Sequence, residues 1–395
     1  MENLKHFISI TIRKICYNLF SLVPKEKGLV LCNAWFGQKY IDNPKYVYEY
    51  LLHNSNYKVC WVTLNREIYK ELKAKGYPVA LSNSVKGIIK QIRAQAVFTT
   101  VQLQEFNTLL VNNAIHIDLG HGHPIKDPGI KKWSNHAFRV QSMYVQQNHF
   151  YGIKASEFAK EKYVDVVPGL EPSHIFISDF ARNDVFVDCK LREGKNTIVD
   201  RYKKGYKAIV YMPTHRSDGR NILNLMDILP LDNIQHLCEK YGYVFIIKKH
   251  FYHRNETEDL SAYNRIFDIT NEDDIDPQVL LYQTDLLISD YSACYIDYLL
   301  LDRKLCFYQY DSEDFQKNER SLYIPFTTLD IAPIAYNKEE LTIHLATLMS
   351  ADADEYRERR NNFAPTYFAN LNHANGCKKV KDILDSLMNK YYPNN

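Results

Sequence analysis

The sequence predicts an α/β protein of two domains, each built on a parallel sheet, with a cleft between them. Three observations carry that prediction. Short β-rich apolar runs alternate with helical stretches along most of the chain, as βαβ units require. The 395 residues exceed one small core, at about 150 residues per domain. The pattern loosens and becomes charged from about Asp179 to Lys207, then resumes, which places a domain boundary there. The expected division is residues 1–24 as an amphipathic helix, 25–185 as an N-terminal domain and 186–395 as a C-terminal domain.

In the first domain, Gly28 to Cys32 reads as a strand, and Asn43 to Leu52 as a helix opened by Asp42 and an early Pro44. Tyr57 to Val62 is a second strand and Ser84 to Ile92 a helix. Ala96 to Thr100 and Ala114 to Leu119 are strands, the latter ending in a glycine-bearing turn. In the second domain, Ala208 to Tyr211, Val244 to Ile247, Leu286 to Ser289 and Leu305 to Tyr308 are apolar strands. Helices follow Leu231, Ser292 and Lys338, and Lys378 to Asn389 is a last helix. Ligands in such sheets bind outside the carboxyl ends of the strands.

A net charge of +2 gives no field to attract nucleic acid, so any phosphate affinity is local. The eight cysteines include no C-x-x-C pair, which fits buried thiols better than zinc ribbons or a disulfide framework. No run of about 18 apolar residues spans a bilayer. Near the start, Leu4, Ile8, Ile12, Ile15 and Leu19 recur at helical spacing, with Lys5, Arg13 and Lys14 at the edge. This stripe fits a helix lying in a membrane interface and, equally, one packed on the protein's own core.

Four stretches carry chemistry. Asp118 to Lys126 places His121 just after a strand, on a turn shaped by Gly120, Gly122 and Pro124, with Lys126 close behind. A histidine there suits a general base, because imidazole titrates near neutrality. A merely solvated turn histidine is the plainer alternative, and a metal shared by His121 and His123 lacks a third ligand nearby. Tyr211 to Arg216 follows another strand, where Arg216 can fork two hydrogen bonds onto a phosphate and Thr214 can add a hydroxyl. Ile246 to His250 ends a strand in Lys248, Lys249 and His250. Leu286 to Asp297 passes from a strand ending at Ser289 to a helix starting near Ser292, whose free N–H groups suit an anion. Asp297, five residues on, could reach a ribose hydroxyl. Neither G-x-G-x-x-G nor a P-loop occurs.

In order, these segments resemble the CDP-glycerol glycerophosphotransferases of teichoic acid and capsule synthesis. The match runs from about Gly28 to Gly376. It includes Phe36-Gly37, Asp42 to Lys45, His121 to Lys126, Ala181 to Asp184, Met212 to Arg216 and Lys248 to His250. Its longest part takes in Asp274 to Asp276, Thr284 to Ser292, Asp297 to Arg303 and Phe307 to Asp311. Three departures stand out: His123 where the family has Thr or Ser, Phe251 in place of a proline, and Ala293 in place of a second serine.

The resemblance implies a GT-B-like fold of two Rossmann-like domains facing a central cleft. It implies His121 and His250 as catalytic residues, His121 being the base. Arg216, Thr214, Lys248, Ser292, Ser289 and Asp297 would hold the donor; Lys126, Arg182 and Asn43 would lie on the acceptor side. Glycerol phosphate or ribitol phosphate would pass from a CDP-polyol to a lipid-linked saccharide or growing chain, releasing CMP. No metal or other cofactor is expected. The cytoplasmic membrane face is the implied location, which favours the interfacial reading of the first helix; a homo-oligomer is left open. A sialyltransferase-like enzyme and a non-catalytic assembly protein are the rival readings, and His121 speaks against the second.

Overall fold

The computed structural model describes residues 2–101, 105–127, 135–147, 149–214, 224–250, 258–272, 275–318, 321–372 and 375–393. The chain divides into two units. The first comprises residues 1–121, 129–184 and 368–395, and the second 122–128 and 185–367.

The described residues of the first unit form a sheet of β1 (Leu29–Cys32), β2 (Lys58–Thr63), β3 (Val79–Leu81), β4 (Ala96–Thr99), β5 (Ile115–Asp118), β6 (His149–Lys154) and β7 (Ile175–Ile177). Every pairing is parallel, in the order β3-β2-β1-β4-β5-β6-β7. β1, β4 and β5 are buried along their whole length; β1 and β4 are accordingly near-continuous apolar runs, whereas β5 alternates Ile115 and Ile117 with the buried His116 and Asp118. The strand order reverses between β1 and β4, so the crevice at the carboxyl ends of these two strands is where such a sheet opens for a ligand. The segment Asn33 to Gly37 leaves β1 there, Thr100 leaves β4, and the turn after Asp118 leaves the neighbouring β5.

The second unit repeats the plan with β8 (Lys207–Met212), β9 (Tyr243–Ile247), β10 (Ile266–Asp268), β11 (Leu286–Ser289), β12 (Lys304–Tyr308) and β13 (Ile334–Ala335). The order is β10-β9-β8-β11-β12-β13, again wholly parallel. Its switch point lies between β8 and β11, where Met212 to Thr214 and Ser289-Asp290 emerge. Both units are thus Rossmann-like, as a GT-B protein requires.

Two domain assignments are corrected. Residues 368–395 belong to the first unit, not to the C-terminal domain, because the helix Gly376–Tyr391 is tied to it. Asp184 accepts from the N–H groups of Gly376 (2.6 Å) and Cys377 (2.8 Å), capping that helix, and Tyr57 donates to Asp385 at 2.7 Å. Its far end stacks Tyr391 on His149, with ring centroids 3.6 Å apart. Residues 122–128 belong to the second unit, where Ile125 to Asp127 pair antiparallel with Ser321 to Tyr323.

The helix Glu2–Ser21 belongs to the first unit, where Arg13 donates to the Thr108 hydroxyl at 2.8 Å. Its apolar stripe is not covered: Ile8, Ile12, Ile15 and Leu19 are each about half exposed, and Leu22 just beyond is 79 % exposed. Among the described residues no helix is long and apolar enough to cross a membrane.

Candidate active site

His121 stands at the end of β5 in the first unit. Gly120 before it has φ +66°, a backbone angle that favours glycine, and a Cβ there would press on the Lys154 ammonium at 3.2 Å. Below the turn, Asp118 accepts from the Gly120 N–H (3.3 Å), the Lys154 ammonium (3.3 Å) and the Tyr163 hydroxyl. All three side chains are buried. Burial lowers the Lys154 pKa against the pull of Asp118, and raises that of Tyr163.

The turn is also held from above. Asn43 donates to the carbonyls of Leu119 (3.2 Å) and Gly120 (3.0 Å) and accepts from the Arg182 N–H (3.0 Å). Arg182 donates to the His121 carbonyl and to Asp42, both at 2.8 Å. Asp42 accepts in addition from the Trp35 indole at 3.1 Å. Trp35, Phe36, Gly37 and Asp42 all have positive φ, so the loop leaving β1 is bent into a conformation that its contacts must maintain. Asn43 and Arg182, expected on the acceptor side, are both buried in the first unit, and their described bonds clamp the His121 turn.

The imidazole itself is exposed. Its Nδ1 lies 3.1 Å from the Thr100 carbonyl oxygen, and its ring meets Trp35 edge-on at 5.3 Å. A carbonyl only accepts, so Nδ1 carries a proton, and in the neutral form of the ring the lone pair then lies at Nε2. That is the arrangement a general base needs. Thr100, Glu105, Trp35 and Asp42 complete the group. Sequence reading missed Thr100, Glu105 and Trp35, because a single polar residue in a loop has no periodicity to mark it.

The second unit holds the other candidates. Thr214 donates its N–H to both Asp290 oxygens (2.9 and 3.0 Å) and its hydroxyl to one of them (2.7 Å). Its hydroxyl proton is therefore committed to a fully buried carboxylate, which also accepts from the Tyr291 N–H. This ties the ends of β8 and β11 together at the switch point. Asp290 was another residue that sequence reading passed over.

Ser289 is buried beside the Cys294 thiol (3.6 Å). The helix expected near Ser292 begins at Cys294, and the Ser292 hydroxyl accepts from the Cys294 N–H at 3.4 Å. Asp297, expected beside the nucleotide, is buried, with the His123 Nε2 3.3 Å from its carboxylate; Tyr367 meets the His123 ring edge-on. The histidine that departs from the family pattern thus lies against an acid in the interior.

At the end of β9, Lys249 is buried against Asp268 (3.3 Å), while Lys248 and His250, on either side, are partly exposed. The Lys248 ammonium donates to the Thr270 carbonyl at 3.2 Å. Lys126 reaches over the Phe315 ring, 5.1 Å from its centroid, and lies in the second unit rather than the acceptor-side domain. Arg216 lies outside the described residues.

The chain matches, over residues 15–384, the family model of the CDP-glycerol:poly(glycerophosphate) glycerophosphotransferases. It is 23 % identical to a teichoic acid poly(glycerol phosphate) polymerase of Bacillus spizizenii, over 95 % of this chain and 96 % of that protein. A polymerase of the same description from Staphylococcus epidermidis is 24 % identical over 97 % of this chain; the chain spans only about half of that longer protein, 55 %. In fold it is similar to a solved chain of the wall teichoic acid polymerase TagF, with a TM-score of 0.75 at 21 % identity, covering 98 % of this chain and 97 % of that solved chain. The expected resemblance is therefore confirmed, and the chain belongs to the CDP-glycerol:poly(glycerophosphate) glycerophosphotransferase family.

Proposed function

We propose that the chain transfers glycerol phosphate or ribitol phosphate from a CDP-polyol to a hydroxyl of a lipid-linked acceptor, in teichoic acid or capsule synthesis. The class of reaction, polyol phosphotransfer, follows from the family. The observation that carries the reading of the site is His121: exposed, held at Nδ1 by a carbonyl, and presenting Nε2. The acceptor hydroxyl would give its proton to Nε2 as its oxygen attacks the polyol-side phosphorus. The bond from that phosphorus to the bridging oxygen would break in line, and CMP would leave with the electron pair. Lys248, His250, Ser292 and Arg216 are proposed to hold the donor phosphates, where positioning and charge do most of the work. No metal or other cofactor enters this reading.

The uncovered stripe from Ile8 to Leu19 supports an interfacial rather than a core-packed helix, and with it a location on a membrane surface. The relatives described above are polyol-phosphate polymerases and give no support to the sialyltransferase alternative.

The test is CMP release from purified protein with CDP-glycerol, CDP-ribitol or CMP-sialic acid, on a lipid-linked disaccharide with and without one priming glycerol phosphate. Release from one CDP-polyol names the donor, and the preferred acceptor separates primase from polymerase. Release from CMP-sialic acid alone would overturn the proposal.

A further inference from the structure

We infer that Glu105 is a positioning residue for His121, acting through Thr100 to fix which imidazole nitrogen faces the acceptor. The inference rests on reading His121 as the base. Glu105 is 4 % exposed, and among the described residues no lysine or arginine is paired with it. A buried carboxyl without a counter-charge is costly, and an apolar side chain would fill the same space without that cost. What distinguishes glutamate here is its hydrogen bonding.

Both of its oxygens bond to Thr100, and the Trp35 backbone N–H bonds to the carboxyl as well. The Thr100 N–H donates to Oε2 at 2.6 Å, and the Thr100 hydroxyl bonds to Oε1. That hydroxyl also accepts from the Trp35 N–H at 3.1 Å, and the Trp35 indole packs against His121. The backbone of Thr100 is thus pinned just after β4, and with it the direction of the carbonyl that receives the His121 Nδ1–H. In water a neutral histidine favours the other tautomer, with the proton on Nε2, which leaves no lone pair at the position a base needs. Burial raises the Glu105 pKa from 4.5 to about 8, against the pull of the Thr100 bonds. At neutral pH the side chain is then chiefly the uncharged acid, and glutamine is its close counterpart in shape and bonding.

The experiment uses the full chain, labelled with ¹⁵N-histidine, with the His121 signals assigned by their loss in His121→Ala. Above the imidazole titration, the wild type should show the proton on Nδ1. Glu105→Ala should shift His121 toward the Nε2–H tautomer. It should also lower kcat for CMP release by about tenfold to a hundredfold, with little change in KM for CDP-glycerol. Glu105→Gln should restore the wild-type tautomer and most of the lost turnover. If Glu105→Ala does not fold, Thr100→Val, which removes the hydroxyl with its bonds to Glu105 and to the Trp35 N–H, should move both readouts in the same direction. An unchanged tautomer in the folded alanine or valine variant overturns the inference, whatever happens to turnover. Equal losses in Glu105→Ala and Glu105→Gln overturn it as well, since positioning by hydrogen bonds predicts rescue. The base reading fails separately, if His121→Ala keeps its turnover, because the tautomer is read without any activity.

Discussion

The strand ends of the two units use polar residues in opposite ways. In the first unit, Asp118, Lys154, Asn43, Arg182, Thr100 and Glu105 are buried around one exposed imidazole, and each bond in the set holds either its turn or its ring. In the second, Asp290, Asp268 and Asp297 pair with Thr214, Lys249 and His123. There Asp290 and Asp268 brace strand ends, Asp297 holds His123 from within a helix, and the partly exposed Lys248 and His250 follow β9. A reactive group must be held in one orientation, whereas a site for charged phosphates can be built from cations and backbone N–H groups around a rigid frame. The same residue types therefore do different work, depending on which side chain the fold leaves at the surface.

The sharpest way to break this comparison is His121→Ala. It should lower CMP release by about a hundredfold or more while leaving the urea midpoint near the wild-type value, because the imidazole is exposed and its removal opens no cavity. Retained turnover would remove the reacting group from the first unit and with it the contrast between the two.

Next in size are the buried acids. Lys154→Met strands Asp118 without its cation and should destabilise the fold by about 3 kcal/mol, read by urea denaturation. Asp290→Ala should remove about 2 kcal/mol, since it leaves the Thr214 and Tyr291 N–H groups without their acceptor. It should also raise KM for CDP-glycerol more than it lowers kcat. A selective fall in kcat would instead place Asp290 with the reacting groups and blur the distinction between the units.

A pH series gives an effect specific to the first unit. His116 is buried between Thr99 (2.8 Å) and Tyr144 (3.0 Å), and burial lowers its pKa from 6.5 to about 4. Below 6.5 the unfolded chain binds a proton that the folded chain refuses, so stability should fall as pH drops from 6.5 toward 4. His116→Asn should flatten that limb of the urea-midpoint profile. Glu105 works in the other sense. Its folded pKa is raised from 4.5 to about 8, so the folded chain binds the extra proton and this contribution is lost as pH rises through that window. Glu105→Gln should flatten the second limb.

The smallest effect on chemistry, though not on location, is expected from deleting residues 1–20. Sedimentation with anionic vesicles should weaken, while CMP release with a water-soluble acceptor persists. Undiminished sedimentation would remove the membrane role proposed for the exposed stripe.

Legibility followed the range of the physical signal. β1, β4, β8, β9, β11 and β12 were readable because a strand buried on both faces is a near-continuous apolar run, and β5 because its two isoleucines lead into a glycine-bearing turn. β3, β7, β10 and β13 are two or three residues long, and no periodicity develops over that length. His121 was readable because glycines on both sides of a histidine after a strand mark a turn at a sheet's carboxyl edge. Asn43 and Arg182 were legible as site residues, but their bonds to the His121 turn and to each other join positions 76, 77 and 139 apart in the chain.

What the sequence determined by itself was the α/β class, the two-domain plan, the family and the candidate histidine, all of which are carried by local composition and by the order of motifs. Only the tertiary structure decided that the C-terminal helix returns to the first unit, that Asp297 lies against His123, and that Glu105 reaches His121 through Thr100. The physical reason is the same in each case. Burial, hydrogen-bond partners and the protonated nitrogen of an imidazole are set by which atoms the folded chain brings within about 3 Å of one another, and sequence spacing does not encode that distance.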